Sequence, residues 1–73
     1  MDAVFDYSRL RGKIKEVCDT QDEFSRQMHI GRVSLSKRLN NQLYFTQDEI
    51  LKACEVLGIN HTSIPSYFFA VKV

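Results

Sequence analysis

The chain has no tryptophan, a single proline, three glycines and two cysteines. Each shortage excludes something. Two cysteines cannot build the disulfide framework that small secreted domains rely on. A zinc site would need His29 and His61 beside Cys18 and Cys54, and no paired ligand spacing links them. Neither metal nor cofactor is expected, and both thiols read as small core hydrophobes on the apolar sides of helices. No apolar run could span a bilayer and no signal-peptide pattern opens the chain, which predicts an intracellular protein. Also missing are a glycine-rich phosphate loop, an activated nucleophile and a carboxylate pair free of other duties, so enzyme chemistry is not expected. With no linker or low-complexity segment, residues 1–73 read as a single domain.

Charge of one sign is scarce as well. Ten Lys and Arg against nine Asp and Glu leave a net charge of +1. The total therefore implies no general attraction to nucleic acid. The distribution says more: Arg9, Arg11, Lys13 and Lys15 form one acid-free basic stretch, and Arg32, Lys37 and Arg38 another. Two such segments are either a patterned binding surface or two solvated helix faces.

What is present is apolar periodicity with strong helix punctuation. The quadruplet TQDE occurs at residues 20–23 and again at 46–49. Thr-x-x-Glu ahead of an apolar-periodic run is a capping box, and the intervening Asp favours the positive end of the helix dipole. The sequences diverge afterwards, so the quadruplet marks two helix starts and no internal repeat. Phe45 can staple the second start against Ile50.

These signals predict an all-α bundle of four to five helices with a short extended C-terminal arm. The first helix runs from an Asp6 cap to about Cys18, with Phe5 stapled on Leu10 and a buried stripe of Leu10, Ile14, Val17 and Cys18. Gly12 falls on its wet face. The second starts at Thr20, buries Phe24 and Met28, and breaks at HIGR. The third spans Arg32 to Asn40 with Leu35 and Leu39 inward. The fourth spans Thr46 to Leu57, burying Ile50, Ala53, Cys54 and Leu57, and ends on a left-handed Gly58 closed by Ile59. Pro65 suits the first turn of a short last helix. The terminal FFAVKV is β-prone, and Tyr67, Phe68 and Phe69 read as a lid on the core.

Residues 21–39, QDEFSRQMHIGRVSLSKRL, resemble the helix-turn-helix of phage Cro and repressor proteins. The matching positions are Gln21 at the lead, the small Ser25 where two helices cross, and the apolar Met28, Ile30, Leu35 and Leu39. More loosely, FDYSRLRGKIKE, FTQDEI, KACEVLGI and IPSYFF look like the small Cro-type switch proteins of temperate phages of Gram-positive bacteria. The pattern departs at His29, where the family commonly has Gly, at Gly31, where it has a side-chain cap, and at Ser25, where Ala is commoner.

The resemblance implies a phage regulator in the cytoplasm of a bacterial host. It implies that Gln21 touches a phosphate and that the third helix presents its start and outer face to bases. A helical wheel gives the same surface independently: Val33, Ser36, Lys37 and Asn40 point outward, flanked by Arg32, Ser34 and Arg38. Val33 carries the most information, since an aliphatic in a polar face requires a thymine methyl or a protein partner. Two functions follow. The first is an operator-binding repressor that places helix three in the major groove of double-stranded DNA, with a possible homodimer on two-fold operators. The alternative is a modulator that binds the phage's main repressor protein through the same face.

Overall fold

Leu10, Ile14 and Cys18, four residues apart, make a narrow apolar seam, and the first helix forms around it. The computed structural model describes residues 3–73, and its helices are α1 (Ser8–Cys18), α2 (Gln21–Met28), α3 (Arg32–Leu39), α4 (Gln47–Leu57) and α5 (Ile64–Phe68). A 3-10 turn at His61–Ser63 leads into α5, where Pro65 occupies the first turn. The architecture is the expected all-α bundle. Its core gathers the seam of α1 with Phe24, Met28, Leu35, Leu39, Ile50, Ala53, Cys54, Leu57, Ile59 and Phe68. Phe24, Leu10 and Leu35 are its largest fully buried side chains.

Three expectations for α1 need correction. Val17 is 45% exposed: it lies beside the seam, about 20° from Leu10 around the helix, but about two turns further along, where burial depends on a neighbouring helix reaching over it. The helix also begins later than expected, at Ser8 after Tyr7. The Asp6 carboxylate still accepts from the Ser8 N–H at 2.9 Å, one step further out than an N-cap. With Tyr7 as N-cap, Phe5 no longer holds the staple position expected against Leu10, and its ring packs edge-on to Tyr44 and Phe69.

The two TQDE starts differ. Thr46 carries a complete capping box: its hydroxyl accepts from the Glu49 N–H at 3.1 Å, and Glu49 accepts from the Thr46 N–H at 2.9 Å. Thr20 has only half of one. Its hydroxyl accepts from the Glu23 N–H, but the Glu23 carboxylate turns to Arg26 and Gln27.

Helices α2 and α4 close on left-handed C-caps and α3 on a left-handed residue one further on, each with backbone bonds that satisfy the last carbonyls. Gly58 does this at φ 67°, and the Ile59 N–H reaches the Cys54 carbonyl at 2.9 Å. His29 and Asn41 adopt the same region at φ 58° and 63° without being glycine. The third helix therefore stops at Leu39, one residue short of the expected Asn40.

Asn41 has a second role. Its side-chain amide accepts from the Phe5 N–H at 2.8 Å and donates to the Phe5 carbonyl at 3.0 Å, as a neighbouring strand would. On the other edge, Asp6 and Val4 bond to Ala70 and Lys72, pairing Phe5 antiparallel with Val71. The extended arm thus folds back on the beginning of the chain.

Candidate functional site

The α2–α3 pair places its polar outer face through a tight turn, residues 29–31. Left-handed His29 ends α2, and Gly31 in extended conformation (φ −68°, ψ 152°) starts α3 without a side-chain cap. Ser25 is buried at the crossing, and its hydroxyl donates to the Asp22 carbonyl at 2.7 Å. That bond removes the penalty of a polar atom where close helix approach demands a small residue.

Between the start of α2 and the outer face of α3 lies a shallow depression of about 460 Å³, lined by Gln21, Asp22, Arg32, Val33, Ser36, Lys37 and Gln42. Five of the sequence-predicted residues meet here: Gln21, Arg32, Val33, Ser36 and Lys37. Val33 stands 69% exposed beside them, the aliphatic that the helical wheel singles out.

The other three are placed differently. Arg38 is 15% exposed at its side chain and points to α4, where its Nε donates to Glu49 Oε1 at 2.8 Å and its Nη1 to the Ser34 carbonyl at 3.0 Å. It holds α3 in position and is not a free flank cation. Ser34 is half-buried beside that pair. Asn40 lies at the end of the helix, donating to the Ser36 hydroxyl at 3.2 Å and accepting from Arg11. Asp22, which the sequence places only in a helix start, and Gln42, beyond the end of α3, also line the depression.

The electrostatics are mild. Asp22 engages Arg32 at 3.1 Å, with both side chains mostly exposed. Glu49 is raised by burial, but the Thr46 backbone N–H and Arg38 outweigh this and hold its carboxyl below the usual range. Among the described residues Lys37 is the cation of the depression without an acid partner. The basic stretch of α1 is also engaged: Lys13 with Glu16, Lys15 with Asp19, and Arg9 over the Tyr67 ring. Both cysteines are buried and their thiols are pushed up by that burial. Among the described residues no group of three or more His, Cys, Asp and Glu side chains could hold a metal ion. Among them, too, no helix is long and apolar enough to cross a membrane.

The all-helical bundle thus presents an exposed aliphatic within a mixed polar depression. The chain belongs to the family described as "Protein of unknown function (DUF739)", whose model matches residues 3–71. Among solved structures it is similar to the modulator of repression (MOR) of the temperate bacteriophage TP901-1 from Lactococcus lactis. The two are 46% identical, the match covers 89% of this chain and 88% of the other, and the TM-score is 0.80. No curated protein matches the chain.

Proposed function

We propose that the chain is a modulator of phage repression that binds the main repressor protein of its phage through the α2–α3 face. The observation that carries this is the 46% identity, over nearly the whole of both chains, to the modulator of repression of phage TP901-1. It reverses the order of the two sequence-based functions, in which operator binding came first. The charge arrangement supports the same order. Affinity for duplex DNA comes largely from Lys and Arg that neutralise phosphates. Here Asp22 engages Arg32 and Glu49 engages Arg38, which leaves Lys37 as a weak phosphate footprint. An exposed valine among Ser36, Gln21 and Lys37 suits the desolvated centre of a small protein interface, with Lys37 on its rim.

The helix-turn-helix geometry then serves as a protein-binding surface in the host cytoplasm. The test combines a binding titration against the purified repressor with a gel shift on operator DNA, using the wild type and Val33→Asp. The wild type should bind the repressor and leave naked operator unshifted. Val33→Asp should melt normally and lose the complex. Sequence-specific retardation of operator by the chain alone, with no repressor complex, would restore the operator-binding function instead.

A further inference from the structure

The two walls of the depression are contributed by different helices, and a residue outside it connects them. Gln21 from α2 and Ser36 from α3 both line the depression. Arg11, from α1, does not. Its Nη1 donates to Gln21 Oε1 at 3.4 Å, and its Nη2 donates to Asn40 Oδ1 at 3.2 Å and to the Leu39 carbonyl at 3.1 Å. Asn40 in turn donates to the Ser36 hydroxyl at 3.2 Å. A continuous chain of hydrogen bonds thus runs from Gln21 through Arg11 and Asn40 to Ser36.

The Leu39 carbonyl is one of the last four of α3 and has no helical partner of its own. A planar guanidinium can serve it and two side-chain amides at once, because its donors diverge in a fixed fork. A lysine ammonium in the same place could not span the three acceptors in that geometry.

From this we infer that Arg11 is a positioning residue for the α2–α3 face, locking Gln21 and Asn40 in the orientation the partner meets. The effect on affinity rests on the function proposed above; the locking does not. A partner that binds a surface already in its bound arrangement avoids the cost of ordering it. Lose the lock, and only a fraction of molecules present the competent face at any moment.

The test uses Arg11→Lys and Arg11→Met in the full chain, each first checked for a cooperative melt. Side-chain amide resonances of Gln21 and Asn40 are recorded by NMR, and repressor binding is followed kinetically at several salt concentrations. Both variants should shift the two amide signals and weaken binding about tenfold, which corresponds to a competent fraction of about one tenth. The salt dependence should stay that of the wild type, because Arg11 acts through its neighbours. Full affinity in Arg11→Lys would overturn the inference, since charge alone would then suffice. So would wild-type affinity in both variants despite shifted resonances, or unmoved resonances in either. A wild-type chain that does not bind the repressor sinks the proposed function, and the resonances then decide the locking by themselves.

Discussion

Replacing Glu49 with Gln should destabilise the protein by about 2 kcal/mol at neutral pH, although the two side chains have nearly the same shape. Glu49 Oε1 accepts from Arg38 Nε at 2.8 Å and from the Thr46 N–H at 2.9 Å, and a Gln carbonyl can occupy the same point. Only the charge is removed. Hydrogen bonds to charged groups contribute about 1.5–3 kcal/mol and neutral ones about 0.5–1.5; the Arg38 bond keeps its charged donor, so the Thr46 N–H bond alone becomes neutral and loses roughly 1 kcal/mol. The rest comes from Arg38, whose side chain is 15% exposed and would be left without its counter-charge. A fully buried orphan charge costs about 3–5 kcal/mol, and partial exposure reduces that to about 1. For a domain of this size, about 2 kcal/mol lowers Tm by about 10 °C. Acid should erase the difference. The Glu49 carboxyl titrates below its unfolded value, so its contribution is complete above about pH 4.3 and fades as pH falls through the lower folded value. Thermal melts of both proteins from neutral pH down to about pH 3, followed by circular dichroism, would check this. Equal Tm at neutral pH, or a gap that persists unchanged into acid, would refute the reasoning.

Four further substitutions probe the punctuation. Thr46→Ala removes a complete capping box and should cost about 1–2 kcal/mol in denaturant melts, whereas Thr20→Ala, with half a box, should cost about 1 kcal/mol or less. Gly58→Ala should cost about 1 kcal/mol, entirely from the backbone: φ is 67° and an added Cβ would touch nothing within 4 Å. A neutral melt would mean that α4 ends by some other geometry. Asn41→Asp keeps a residue that tolerates φ 63° but turns the Phe5 carbonyl from a bonded acceptor into a neighbour of a carboxylate. It should cost about 1–3 kcal/mol, and hydrogen exchange should quicken at Asp6 and Lys72 while α4 stays protected.

Local chemistry is legible in the sequence, and distant pairing is not. Thr46, Gly58, Pro65 and the Ser25 hydroxyl act within a turn or two of themselves, so residue type and spacing place them. Val33 is legible for the same reason: with Leu35 and Leu39 inward, the wheel leaves it outside. Arg38 reads as a flank cation because its partner Glu49 lies across a loop on another helix, and the capping box already accounts for that acid. Arg11 is harder still, since two of its three acceptors sit 28 and 29 residues away. Neither pairing has a periodicity. Val17 misleads for a different reason: an apolar residue beside a seam is buried only if a neighbouring helix extends over it, and that depends on packing.

The pairing of Phe5 with Val71 makes the protein nearly a closed ring, with Asn41 pinned to the joint from inside the loop. Almost the entire chain lies between those two partners. Closing a loop of that length costs about 4 kcal/mol of chain entropy when nothing else has formed. The joint is therefore out of reach until the helices have packed and drawn the ends together. It should be the last pairing to form in folding and the first to open in unfolding. A cut or an extension in residues 69–73 should open this ring while leaving the helical core and the Val33 face assembled.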